Sequence, residues 1–316
     1  MAAGGPCGAA DGATVRRVGQ KLARIRGFFA ERGVVEVQPP CLGPAAMDPA
    51  LESIPVPGAA ADGDAAYLQT SPESAMKAML AAGSSDIYYL GPAWRGGERG
   101  RWHATEFTLL EWYRIGFDHH RLMDEVSALA ALLVGDRPVE RWSYQEAFRR
   151  YAGVDPLDDA DDALRDALAD QGIDLHGAAP SRDDALDLLL SHAVGPALGH
   201  GQLTFLYGFP ASQAALARLD DADPRTARRF ECFIDGLEIA NGYHELTDPA
   251  AQRARFEAEQ AERRGAGQPV YDLDERLLGA LERGVPDCAG VALGVDRLLA
   301  VALGAESLAA VRGSGG

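Results

Sequence analysis

WRGGERGRWHATEFTLLEWYR, Trp94–Arg114, is the stretch on which the fold turns. It gathers Arg95, Arg99, Arg101 and Arg114 in a chain of 316 residues whose formal net charge is −17. Upstream, IYYLGPAW (Ile87–Trp94) reads as a strand. Downstream, EFTLLEWYRIG (Glu106–Gly116) alternates, placing Phe107, Leu109, Glu111 and Tyr113 on one face. Two antiparallel strands joined by a flexible, arginine-bearing loop make a clamp for a polyphosphate, because guanidinium pairs bidentately with phosphate oxygens. A solvated hairpin whose arginines answer local acids fits the same spacing, and both readings stand at this point.

Around this stretch, composition narrows the field. An apolar fraction of 47% with few aromatics fits a globular protein with a sizeable core. No run approaches the ~18 apolar residues of a membrane span. The start, MAAGGPCGAADGA, puts no basic residue ahead of an apolar core and reads as a flexible extension over 1–13, so a cytoplasmic address is expected. Cys7, Cys41, Cys232 and Cys288 are scattered without metal-site spacing, which predicts free thiols. The acidic balance argues against broad nucleic-acid binding, which depends on Lys and Arg displacing counterions from phosphates. Lys21 and Lys77 are the chain's two lysines; arginine carries the remaining positive charge.

Val15, Val18, Leu22, Ile25 and Phe29 recur at helical spacing, predicting a helix over Thr14–Arg32 with Thr14 as N-cap and Gly33 as its stop. VVEVQPP then reads as a strand leaving the sheet or lying at its edge. Gly43–Ala66 has no period and predicts a long loop or small hairpin, followed by a strand over Tyr67–Thr70. Ser71-Pro72-Glu73 opens a helix with serine as N-cap, and Glu73 and Lys77 stand one turn apart, a pair worth only ~0.2–0.5 kcal/mol if exposed. From Asp118 to Gly199 the sequence predicts a helical insertion without chemistry of its own.

RFECFIDGLEIANGYHE, Arg229–Glu245, carries a two-residue hairpin signal at Asp235-Gly236. That turn pairs Phe233 with Glu238 and Glu231 with Ala240, leaving Glu231 and Glu238 as diagonal neighbours on one face. At roughly 7–8 Å between Cα atoms, their carboxylates can share a divalent cation, or can simply form a wet face. Strict alternation sends Asn241, Tyr243 and Glu245 to the other face, so a shared site needs a bulge, for which Gly242 is the candidate. GVALGVDRLLAVALG, Gly290–Gly304, reads as a strand entering a helix through glycines.

Taken together, the helix with its proline-closed strand, the arginine hairpin ending in EFTLLEWY, and GVALGVDRL resemble, in order, motifs 1, 2 and 3 of the class II aminoacyl-tRNA synthetases. With TSPE and EIANGYHELTD, the chain resembles the lysyl-tRNA synthetase catalytic domain over about Thr14–Leu308. The resemblance implies an α+β catalytic domain over 14–312, an antiparallel sheet flanked by helices, with the insertion at about 118–199. No anticodon-reading domain is expected before a catalytic helix that begins within the first twenty residues. PASQAAL, IANGYHELTD, PDCAGVALGVDRL and Ala292 look like the branch of this family that ligates β-lysine to elongation factor P.

That resemblance implies ATP and Mg²⁺ as cofactors, lysine or β-lysine as substrate, elongation factor P as protein partner, a homodimer, and little affinity for tRNA or membrane. It implies catalytic roles for Arg95 on the α-phosphate and Arg297 on the far side of ATP. Glu231 and Glu238 become the Mg²⁺ ligands. Ser71, Pro72, Glu73, Glu111 and Tyr113, with Asn241, Tyr243, Glu245 and Ala292, line the amino-acid pocket. Gly96, Gly97, Glu98, His103 and Ala104, with Phe107, Glu238, Ile239 and Gly294, surround the nucleotide. The loop departs from the family: Gly96-Gly97-Glu98 follows Arg95 where Arg-Asn-Glu or Arg-Ala-Glu is usual, and His103-Ala104-Thr105-Glu106-Phe107 replaces His-Asn-Pro-Glu-Phe. A weakened enzyme, one with another acceptor, or a quiet binding protein is the alternative expectation.

Overall fold

The computed structural model describes residues 10–43, 51–60, 65–173, 180–265, 267 and 270–312. Helix α1 spans Gly12–Ala30, two residues earlier than its apolar spacing predicts. The reason is Asp11, whose carboxylate accepts the Thr14 amide at 2.7 Å and so takes the cap expected of Thr14. The helix buries Ile25, Phe28 and Phe29, while Val15 stays 54% exposed. Residues 1–9 of the expected extension, and Cys7 with them, lie outside the described residues. Cys41, Cys232 and Cys288 are free.

Strand β1 (Val35–Glu36) pairs in parallel at the sheet edge before the prolines lead the chain away. The segment expected as loop or hairpin contributes β2 (Leu42–Gly43) and β3 (Pro55–Val56), which flank β4 (Ala66–Leu68) in a small three-stranded sheet. Helix α2 (Glu73–Ala81) follows, with Pro72 at the cap position; Ser71 still accepts the Glu73 amide at 3.0 Å. Strands β5 (Ile87–Trp94) and β6 (Glu106–Ile115) form the expected antiparallel pair, running from Ile87–Tyr113 to Trp94–Glu106.

The region expected as a helical insertion divides in two. Helix α3 (His119–Val134) belongs to the main core, with Leu122, Met123, Val126 and Leu129 all buried against the sheet. After it comes β7 (Val139–Ser143), a strand the sequence analysis does not anticipate, because VERWS is an exposed edge strand with no apolar alternation to read. Helices α4 (Tyr144–Tyr151), α5 (Asp161–Asp170) and α6 (Arg182–Leu189) form the helical part proper around Phe148, Leu164, Leu186 and Phe209.

The chain then returns as β8 (Leu203–Pro210), β9 (Thr226–Ile234) and β10 (Leu237–His244), crosses the surface as α7 (Pro249–Gly265) and α8 (Glu275–Arg283), and closes with β11 (Cys288–Gly294) and α9 (Val295–Leu303). Among the described residues the large sheet has the order β1-β5-β6-β11-β10-β9-β8-β7, antiparallel except for its two outermost pairs. No described helix is long and apolar enough to cross a membrane.

Alternation gives this sheet two different faces. Leu110, Trp112, Cys232, Val291 and Leu293 point into one core beneath α1, α3 and α9. On the opposite face, α2 and α8 cover one end and α4–α6 the other. The middle of that face is left open, and its residues are small or polar. Asp296, in the first turn of α9, accepts the Thr108 amide at 3.0 Å and ties the helix start to β6.

Candidate functional site

A cavity of about 690 Å³ occupies the open part of the sheet face. Its floor follows from register. Glu111 of β6 stands opposite Ala292 of β11, Ala292 opposite Asn241 of β10, and Asn241 opposite Glu231 of β9. The next row runs Tyr113, Gly290, Tyr243, Arg229. In GVALG the small residues thus face the cavity and the large ones the core. A side chain at Gly290 would collide with the Tyr113 ring and the Glu245 carboxylate.

The Asp235-Gly236 turn has positive φ at both residues (51° and 76°), the type I′ pattern, and Phe233 pairs with Glu238 as predicted. One step later the register shifts. Cys232 faces Ala240 and Glu231 faces Asn241, so Ile239 is the extra residue. The bulge therefore sits at Ile239, not at Gly242, and Glu231 does not pair with Ala240. Its effect is the one the site needs: Asn241 and Tyr243 swing onto the cavity face beside Glu238.

At one end the cavity is acidic. Glu111 is 2% exposed and accepts from the Ser71 hydroxyl at 2.6 Å and the Tyr113 hydroxyl at 2.8 Å. Lys77, one turn from Glu73, is buried. Its ammonium lies 2.6 Å from Glu73 and 2.5 Å from Glu245, close contacts that lack the alignment of good hydrogen bonds. Burial, then the charge of Glu73, pushes the Glu111 carboxyl up to about 8 despite its two donors. Burial also raises Glu245 to about 7, although Lys77 opposes it. Lys77 itself is held protonated: burial disfavours its charge, and the two carboxylates outweigh burial. Asn241 donates to the Tyr243 hydroxyl at 3.1 Å.

The other end carries the arginines. Arg95, at the exit of β5, lies over the Phe107 ring at 5.1 Å and 3.7 Å from Glu98, and its buried Nε has no partner. Arg297 donates to the Trp102 carbonyl at 3.1 Å and to the Glu238 carbonyl at 2.9 Å, with the Glu238 carboxylate at 3.3 Å. Glu231 lies deeper, paired with Arg229 at 2.7 Å, and burial followed by the charge of Glu238 raises it to about 7. Two mutually repelling carboxylates, Glu238 lining the cavity and Glu231 behind it, fit a divalent cation. Among the described residues no cluster of three or more His, Cys, Asp or Glu side chains could hold a metal, so a cation here would draw its remaining ligands from phosphate and water, as magnesium commonly does.

Most of the sequence-derived site residues thus share one cavity: Ser71, Glu73, Arg95, Glu98, His103, Ala104, Phe107, Glu111, Tyr113, Glu238, Ile239, Asn241, Tyr243, Glu245, Ala292, Gly294 and Arg297 all line it. Pro72, Gly96, Gly97 and Glu231 do not. Pro72 turns into α2. Gly96 and Gly97 face Glu52, whose carboxyl group fills the space their side chains would need, while the Gly96 amide donates to the Glu52 carbonyl at 2.7 Å. The structure adds residues that motif reading missed: Glu52, Lys77, Arg229, and Gln252, Arg255 and Phe256 of α7. For Lys77 a signal existed, since a chain that otherwise uses arginine keeps lysine there.

Comparison with known proteins adds two findings. Residues 15–312 match the family described as tRNA synthetases class II (D, K and N). Among curated proteins, the elongation factor P–(R)-β-lysine ligase of Vibrio cholerae is 49% identical over 293 residues, covering 91% of this chain and 90% of that protein. The ligase of the same name from Photorhabdus laumondii is 49% identical over 298 residues (92% and 91% covered). The one from Salmonella paratyphi B is 46% identical over 297 residues (92% and 91%).

Proposed function

The chain belongs to the class II tRNA synthetase family, and from that premise we propose that it is a ligase that activates (R)-β-lysine, or lysine, with ATP and passes it to a lysine side chain of translation elongation factor P. One observation carries the reading within the structure. A single cavity holds Glu73, Glu111 and Glu245 at one end and Arg95 and Arg297 at the other. A diamino acid laid along it has its ammonium groups among the carboxylates and its carboxylate toward the arginines.

In this reading the reaction needs no side-chain nucleophile. The substrate carboxylate attacks the α-phosphorus of ATP in line, forming an aminoacyl-adenylate as pyrophosphate leaves. The Arg95 guanidinium, anchored over Phe107 with an uncommitted Nε, offsets the charge that develops on the phosphate. Glu231 and Glu238 would hold Mg²⁺, which supplies charge neutralisation between the phosphates when bound. Ser71 and Tyr113 fix the Glu111 carboxylate, so positioning is set before the substrate arrives. In the second step the acceptor's neutral ε-amine attacks the adenylate carbonyl, AMP departs, and the amine loses a proton to give an amide.

The test is ATP–pyrophosphate exchange with (R)-β-lysine, α-lysine and a panel of other amino acids, followed by mass analysis of elongation factor P. Exchange with the lysines and a mass gain of one lysyl group on the factor are expected. Exchange without mass gain points to another acceptor, and silence across the panel points to a binding protein, the reading favoured by the Gly96-Gly97 departure. A translation factor as acceptor also implies a cytoplasmic address. We further infer a homodimer. Val15 of α1, Val35 of β1 and Ile115 at the end of β6 are 54%, 51% and 38% exposed, and β1 is an unpaired sheet edge. Sedimentation at the monomer mass would refute it.

A further inference from the structure

Lys77 poses a question that the reaction does not answer. It reaches neither phosphate nor metal residues, yet it is buried to 1% exposure among the acids of the amino-acid end. A lone buried charge is expensive, and a buried cation persists where carboxylates compensate it. Here Glu73 and Glu245 do so from two separate parts of the chain. One buried cluster holds three carboxylates, those of Glu73, Glu111 and Glu245, and one ammonium; Glu259 and Glu262 of α7 also line the cavity, outside that cluster. The neighbouring guanidiniums are committed elsewhere. Arg218 pairs with Asp287 at 2.7 Å and donates to the Glu245 carbonyl, and Arg255 donates to the carbonyls of Ala215 and Ala217 at 2.7 and 2.6 Å.

We propose that Lys77 is a specificity-determining residue that sets the charge of the amino-acid subsite once a ligand ionises its acids: by cancelling one of three carboxylates it leaves two for the ligand, so the pocket demands a ligand with two ammonium groups. The inference rests on the amino-acid activation proposed above and names the feature of the chain that selects its substrate class. Without Lys77, three acids converge on one space and a dication leaves one of them bare. With it, lysine and β-lysine match the count, and a monoammonium analogue such as norleucine leaves a buried carboxylate unpaired, which weakens binding about a hundredfold or more. The compact ammonium suits this role better than the arginine used nearly everywhere else in the chain, because a planar fork would not fit between two carboxylates already in contact with one nitrogen.

The test is a charge-counting cycle read by calorimetric titration with L-lysine, (R)-β-lysine and norleucine, with ATP-analogue binding and thermal melting as controls for folding. Lys77→Met removes a positive charge that opposes a cationic ligand and is expected to tighten lysine binding at least tenfold. Glu73→Gln lowers the count of carboxylates and is expected to weaken it by a similar factor. The double variant Lys77→Met/Glu73→Gln restores two uncompensated carboxylates, and most of the affinity and the preference over norleucine are expected to return. If Lys77→Met does not fold, the comparison of Glu73→Gln with the double variant decides alone. A double variant no better than Glu73→Gln, or a Lys77→Met protein that binds lysine no more tightly than the wild type, overturns the proposal while leaving amino-acid activation intact. A wild-type protein that binds neither lysine overturns both.

Discussion

The two ends of the cavity are built on opposite principles. At the amino-acid end, Glu111, Glu245 and Lys77 are nearly inaccessible, and each already has its partners. The phosphate end is looser: the Glu238 side chain is 41% exposed, Arg95 keeps an unpartnered Nε, and the loop that follows Arg95 runs through Gly96 and Gly97. One end is preorganised and the other waits for charge. The difference implies a division of labour, with selectivity fixed by the acids and Lys77 on the sheet and α2, and rate governed by the charged groups that meet the phosphates.

The sharpest way to break that division is Arg95→Ala. Loss of a charge-stabilising donor at the reacting phosphate is expected to lower the exchange rate about 10²- to 10³-fold, with lysine affinity measured by titration unchanged. A parallel loss of lysine affinity would show that the two ends are coupled. Glu111→Gln is the converse. It removes the carboxyl group that Ser71 and Tyr113 hold in place for a ligand ammonium to ionise and is expected to weaken lysine binding roughly ten- to a hundredfold. ATP-analogue affinity should not move.

Acidity offers a third comparison. Burial, reinforced by Glu73, raises Glu111 from 4.5 to about 8, and Glu245 and Glu231 rise to about 7, so the folded protein retains protons that the unfolded chain has released. Their contribution to stability is therefore complete below about pH 4.5 and is lost as pH climbs through 7 to 8. The ligand-free protein should melt lower, by about a few °C, at pH 8.5 than at pH 6. Lysine, which favours the ionised acids, should restore more of the melting temperature at pH 8.5. A flat profile would mean that the acid end is already ionised without ligand. The smallest effect is expected at Gly97, whose φ is +71° and whose side-chain space is filled by Glu52. Gly97→Ala should strain the loop by about 1 kcal/mol. That should raise the KM for ATP about fivefold and leave lysine affinity untouched.

How far the molecule was legible followed the same divide. Strands β5 and β6 fell where IYYLGPAW and EFTLLEWYRIG placed them, and the Asp235-Gly236 turn fixed the start of its hairpin, because both signals are local. The bulge was required by chemistry but misplaced. Its signature is the adjacent apolar pair Ile239-Ala240, both of which enter the core, whereas Gly242 is small because Phe230 and Val291 press on it. Lys77 read only as a one-turn pair with Glu73, since that spacing says nothing of Glu245, 168 positions further on. Edge strand β7 lacked alternation altogether. The Gly96-Gly97 pair looked like a defect in a phosphate loop until Glu52, from a segment without periodicity, supplied the reason for both glycines.

Ile239 also bears on how such a protein can change over generations. It is the single added residue that turns Asn241 and Tyr243 toward the cavity, so their orientation depends on a tally of residues between Asp235 and Asn241. Exchanging one amino acid for another within that interval leaves the tally intact and can tune selectivity by degrees. Inserting or deleting one resets which side chains meet the substrate. Descendants of this chain are therefore free to drift in composition along the hairpin, but are bound to inherit its length.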